Sequence, residues 1–215
     1  MASAAKKTFD KTLDRVVGLL LLHEPLHGIK GRPRQHVSDL LRSALVLAMA
    51  ALDALVLDSV SEAVPALAKK GMLGPTVAKW VKETSDRVVG FFAESDPHQA
   101  LADLCREQLG LQTFQRSAAI EGILRDVIGA DPPWDRAAST LSSNWGETIT
   151  GDEVKAMLDV YVDRRNRIVH SGDMKPGKVA TQPIRLGFVT QSGAVVQAVG
   201  EAVSEVVAAR VRSQP

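Results

Sequence analysis

The chain has 215 residues, 45% of them hydrophobic and 24% charged, which suits one domain with a packed core and excludes a disordered chain. Lys and Arg number 26 against 25 Asp and Glu, a net charge of +1, so a binder that works by bulk positive charge is excluded. Aromatics at 4% exclude a single-strand binder built on stacking platforms, and the lone Cys105 excludes a disulfide framework and a cysteine-rich zinc site.

Taken in chain order, residues 6–23 place Phe9, Leu13, Val16, Val17 and Leu20 close to i, i+3, i+4, i+7 spacing, which predicts an amphipathic helix. The apolar run Val16–Leu22 is short and no small-residue cleavage site follows, so no signal peptide is expected. Pro25, Gly28, Gly31 and Pro33 predict a break and a loop over 24–35. That loop holds the densest basic cluster of the chain: His27, Lys30, Arg32, Arg34 and His36. It is read either as a solvated loop or as a phosphate-contacting arm.

Residues 37–62 predict a second helix, apolar nearly all round, as expected of the centre of a core or of an oligomer interface. Its stretch Ala44–Leu57 is interrupted by Asp53 and reads as too short and too acidic for a membrane span, so a soluble, cytoplasmic protein is expected. Asp53 needs a partner or a solvent-filled crevice, because burying a bare carboxylate is costly. Pro65, Gly71, Gly74 and Pro75 punctuate the next stretch, and helices are predicted at 76–93, 97–109 and 113–128.

After Asp131-Pro132-Pro133-Trp134 the chain reads as a polar segment to Gly151. Thr150 and Glu153 then have the spacing of a capping box, opening a helix through Val154, Leu158, Tyr161, Val162 and Ile168 to about His170. Gly172 suits the residue just past its end, with Pro176 and Gly177 beyond. Residues 178–190, apolar in places, are read as an extended segment, and a last helix as covering 191–212. The expected fold is one all-α domain spanning 1–215, a helical bundle of five to seven helices with at most one short extended segment.

Two motif strings fail on local chemistry. His23-Glu24-Pro25-Leu26-His27 matches the H-E-x-x-H zinc string, but Pro25 is expected to stop the helix that string requires. Pro176-Gly177-Lys178-Val179-Ala180-Thr181 lacks the leading glycine of a phosphate-binding loop. The segment Arg164-Arg165-Asn166-Arg167-Ile168-Val169-His170 is more informative. Asn166 and His170 are i, i+4 and share a helix face, and Arg165 lies one position round with a side chain long enough to swing onto it. An imidazole titrates near neutral pH and serves as general acid or base, while a guanidinium holds a phosphate and offsets charge developing on it. These are the parts of metal-independent phosphodiester cleavage. The competing reading is a charged helix end, with arginines paired to Asp159, Asp163 or Asp173 and a histidine capping carbonyls.

Arg165-Asn166-x-x-x-His170 near a helix end, in a small all-α chain, resembles the HEPN superfamily of ribonucleases, and the fuller string Arg164–Asp173 is most like its RiboL-PSP-HEPN branch. The apolar helix Arg42–Asp53, with its central acid, is similar to one in that branch. The resemblance covers 37–60 and 113–173, the last helix loosely, and not 61–110, which reads as a family-variable helical insertion. It implies a HEPN-like helical bundle acting as a homodimer, with two facing motifs in one composite site. It implies endoribonuclease chemistry by 2′-hydroxyl attack, without metal or cofactor, in a toxin or an anti-phage defence effector with an antitoxin or defence partner.

Under that resemblance Arg165, Asn166 and His170 are the catalytic set, and Asp53, Arg164 and Asp173 line the site. Lys30, Arg32, Arg34 and Arg167 would contact RNA, with Arg164 and Arg167 facing solvent or substrate. Some members carry a tyrosine two residues after the histidine, which an antitoxin modifies; here Gly172 stands there and the only tyrosine is Tyr161. The alternative function is a non-catalytic HEPN-like dimeric module that binds RNA or protein.

Overall fold

The computed structural model describes residues 3–27, 35–83, 96–175, 177 and 180–214. Among them are eight helices: α1 (Ala4–His27), α2 (Gln35–Lys69), α3 (Pro75–Glu83), α4 (Pro97–Gly110), α5 (Ser117–Ile128), α6 (Trp134–Trp145), α7 (Gly151–Ser171) and α8 (Leu186–Arg212). The all-α expectation holds, although eight described helices exceed the five to seven expected: the described residues contain no strand, and extended pairing is confined to an isolated antiparallel bridge between Met174 and Thr181.

The 35-residue α2 is the hub, and α1, α4, α5, α7 and α8 all pack on it. Ala44, Leu45, Ala48, Met49, Leu52, Leu55 and Val56 are buried along it and join one hydrophobic cluster with residues of every other helix. By length and hydropathy alone α2 could cross a membrane, contrary to the expectation from Ala44–Leu57 that its apolar stretch is too short. Its burial against five other helices is the ordinary situation of a core helix. One close crossing is at Gly200 on α8, where a Cβ would overlap the Phe9 ring of α1 and stand 3.0 Å from Leu55 Cδ2 of α2.

Three boundaries differ from expectation. The first helix runs through Pro25 to His27, and α2 runs through Pro65 to Lys69. Proline deletes one hydrogen bond and strains the preceding turn, at a cost of about 3 kcal/mol in a helix interior. At Pro25 the damage falls in a terminal turn. At Pro65 the surrounding Ala63, Val64 and Leu67 are buried and hold the helix together.

The segment 134–145, expected to be polar coil, is helix α6. Its buried stripe is Trp134, Ala137, Ala138 and Leu141, a helical period carried largely by alanines and interleaved with serines. The last helix begins at Leu186, five residues earlier than expected. The expected helix over 76–93 is described only as α3, its remainder lying outside the described residues.

Candidate functional site

The carboxyl-terminal end of α7 is built from both ends of its own sequence. At the start, Thr150 and Glu153 form the complete capping box: Thr150 Oγ1 accepts from Glu153 N, and Thr150 N donates to Glu153 Oε2 at 2.8 Å. At the end, Gly172 adopts the left-handed conformation at φ 59°, where a Cβ is strained. Asp173 follows at φ 60°, also left-handed, and its N–H donates 3.1 Å back to Arg167 O.

A non-glycine residue holds that conformation when its surroundings over-determine it. Here the Asp173 carboxylate is wholly buried between two guanidiniums: Arg42 Nε donates to Oδ2 at 2.9 Å and Arg164 Nη2 to the same oxygen at 2.6 Å. Arg42 and Arg164 also donate to the Gln182 carbonyl, at 2.6 and 3.3 Å, and Arg164 reaches Gln182 Oε1 and Pro183 O. The helix end, the returning segment at 181–183 and α2 are thereby tied together. Arg164 is 8% exposed, so its expected place facing open solvent is corrected, and the Asp173 carboxylate does not reach an open surface. Both are interior structural residues, because an arginine beside a buried carboxylate is held by it.

Arg165 differs from its neighbour. It is half-buried, its Nη1 donates 3.0 Å to Asn166 Oδ1, and no carboxylate pairs with it among the described residues. Its Nε is buried without a hydrogen-bond partner. The charged-helix-end reading therefore fits Arg164, which is paired with Asp173, and does not fit Arg165. The other acids are committed elsewhere: Asp163 pairs with Arg116, and Asp159 accepts from Ser117 N and Oγ at 3.0 and 2.9 Å, capping α5 from across the bundle. His170 stands exposed in the last turn of α7, next to the half-exposed Val169.

Asp53 is not part of this end. Its carboxylate accepts from Phe114 N and, at 3.1 Å, from Gln115 Nε2, so the acid in the middle of α2 fastens the loop before α5. Its assignment as a site-lining residue is corrected: its partners are a backbone N–H and a side-chain amide, a need the sequence exposes without saying how it is met. Arg167 is exposed, as expected. Lys30, Arg32 and Arg34 lie outside the described residues.

A groove of about 590 Å³ passes the same helix end, lined by Arg15 and Leu19 of α1, Arg42 and Leu47 of α2, and Ile168 and Gly172. Beside it α1 leaves Val17, Leu21, Leu22 and Leu26 more than half exposed. These apolar side chains were not singled out as a surface from sequence, although Leu19–Leu22 carried the signal.

The reason given for setting aside the zinc string is corrected, since α1 continues through Pro25 and keeps His23 and His27 on one helix. His23 is 2% exposed and sits in the interior, and the His27 side chain lies outside the described residues. No group of three His, Cys, Asp or Glu side chains clusters as metal ligands among the described residues. Cys105 is wholly buried, and burial pushes its thiol up to about 12, so it supplies no thiolate at neutral pH. Tyr161 is buried edge-on to Phe188, ring centres 5.1 Å apart, and burial pushes its hydroxyl up to about 12, which removes it as a modification site. Comparison with known protein families, curated proteins and solved structures finds no match to this chain.

Proposed function

We propose that this protein is a metal-independent endoribonuclease of HEPN type, working as a homodimer in the cytoplasm. The observation that carries the reading is the Arg165 guanidinium, which has no carboxylate partner among the described residues and is hydrogen-bonded to Asn166, one helical turn before the exposed His170, on a helix end held rigid by capping and by buried charge. Arg165 would hold the scissile phosphate and offset its growing charge. Asn166 would orient that guanidinium.

His170 would take the proton from the 2′-hydroxyl as its oxygen attacks phosphorus. The P–O5′ bond breaks, and the leaving 5′-oxygen takes a proton from the imidazolium of the second copy. The products are a 2′,3′-cyclic phosphate and a 5′-hydroxyl. In the homodimer that the HEPN resemblance implies, one histidine would begin unprotonated and its mate protonated. The exposed leucines of α1 and the apolar groove beside the motif supply the surface on which a second copy would bring the two helix ends together. An RNA-cleaving dimer of this size suits a toxin or an anti-phage effector restrained by an antitoxin or a defence partner.

The reading is tested by incubating purified protein with RNA in excess EDTA and analysing the ends. Cyclic phosphate and 5′-hydroxyl termini are expected; 3′-hydroxyl termini, or cleavage that EDTA abolishes, would contradict it. The second reading, a non-catalytic module that holds RNA or protein, draws on the absence of a described partner for His170. RNA that is retained and recovered intact would favour it.

A further inference from the structure

A second cavity, of about 220 Å³, opens on the face of α7 next to the one bearing His170, between that helix and the start of α8. We propose that this cavity binds a backbone phosphate of single-stranded RNA between the exposed Arg167 and Arg185, over the buried Arg164, with the attached nucleoside against Val160, Ile184 and Phe188. The proposal rests on the ribonuclease reading above and extends it to a subsite for a phosphate that is not cleaved.

Charge is the first support. Three arginines, Arg164, Arg167 and Arg185, line the cavity and Arg42 meets Arg164 behind it at Asp173; among the described residues the carboxylates bonded to any of the four are Asp173 and Asp39. Asp173 is shared by Arg42 and Arg164, and Asp39 pairs with Arg42, so Arg167 and Arg185 have no carboxylate partner among the described residues. Asp163, four residues before Arg167 and placed to pair with it along the helix, is turned to Arg116 instead. Burial, and after it the charges of Arg167 and Arg42, pull Arg164 below the ordinary arginine value against the opposing effect of Asp173. An anion in the cavity relieves that excess.

The second support is the backbone. Helix α8 is 27 residues long, opens at Arg185 in an extended conformation, has no side-chain cap and has no acid in its first turn. Its leading N–H groups therefore lack a side-chain acceptor, and its dipole favours an anion at this end. The third is a buried polar group in the cavity wall: Arg164, 8% exposed, has an Nε with no hydrogen-bond partner. The remaining wall is apolar, and the volume is below that of a site for a whole drug-sized ligand. It suits a phosphate with part of its nucleoside. Arg167 precedes His170 by three residues, about 4.5 Å along the axis, so a strand seated here continues towards the imidazole.

The test is fluorescence anisotropy with a short 2′-O-methyl oligoribonucleotide, which has no attacking hydroxyl and so reports binding alone. Arg167 and Arg185 are both exposed, so Arg167→Ala/Arg185→Ala is expected to keep the wild-type circular dichroism. It is expected to weaken binding about tenfold or more and to lower the slope of log affinity against log salt by about 2. Arg136→Ala, which removes an exposed ion pair with Glu205 on another face, is expected to leave both unchanged. Wild-type affinity and slope in the double variant, or no retention of the oligonucleotide by the wild type at low salt, would overturn the proposal. Failure of the wild type to cut unmodified RNA would overturn the ribonuclease reading and leave this measurement standing.

Discussion

Arg164 and Asp173, nine residues apart, meet across the end of α7, with Arg164 Nη2 2.6 Å from a carboxylate oxygen that solvent does not reach. The same oxygen accepts from Arg42, so one negative charge answers two buried positive ones. Such a cluster says little about net stability, because desolvation offsets much of the attraction. Removing its only shared anion is a different matter. Asp173→Asn tolerates the left-handed backbone and nearly the same volume, yet leaves two guanidiniums facing each other. A loss of about 3–5 kcal/mol is expected in urea denaturation. A loss below about 1 kcal/mol would show that the cluster is not the anchor of this helix end.

The α1–α8 crossing predicts the behaviour of a small substitution. In an exposed helix interior, replacing glycine by alanine stabilises by about 1 kcal/mol. At Gly200 the added methyl meets the Phe9 ring, itself 1% exposed and with nowhere to turn. Gly200→Ala is therefore expected to destabilise by about 1–3 kcal/mol. Gly193 lies two turns earlier on the same helix with nothing within 4 Å of its Cβ position, and Gly193→Ala is expected to be neutral or stabilising in the same thermal melt.

How much of this was legible in the sequence depends on whether a signal was local. Thr150, Glu153 and Gly172 sit at fixed offsets from the helix they bound, and each does what its spacing predicts. Pro25 does not end its helix because it falls in the terminal turn, and Pro65 does not because the burial of Ala63, Val64 and Leu67 outweighs a local penalty. Helix α6 was hidden because alanine at a buried position carries little hydrophobic contrast against serine. The site shows the same division. Asn166 and Arg165 meet because they are adjacent, whereas the difference between Arg164 and Arg165 rests on Asp173, which Arg164 shares with Arg42 of α2, and on Gln182. Spacing offered Asp159, Asp163 and Asp173 alike as partners and did not say which arginine takes which acid, because that is decided by Arg42 on a distant helix.

The capping box gives a pH dependence with a defined sign. Hydrogen bonds from the Thr150 backbone and then its hydroxyl hold the Glu153 carboxyl below its ordinary value. A carboxyl depressed in the fold adds stability above its unfolded value, and that stability is lost as pH falls through the folded one. The melting temperature is expected to drop as pH is lowered from about 5 towards 3, starting from the ordinary glutamate value near 4.3. Glu153→Gln keeps an acceptor for the cap and is expected to show a shallower drop over that window. Equal slopes for the two proteins would show that the box is not coupled to protonation.

The central claim is that an imidazole and a guanidinium at one helix end cut RNA. The most direct measurement is the RNA-cleavage rate of wild type, His170→Ala and Arg165→Ala at matched circular dichroism and matched oligomeric state. The account predicts rapid cleavage by the wild type and none above background by either variant. Cleavage that survives in both variants would contradict it.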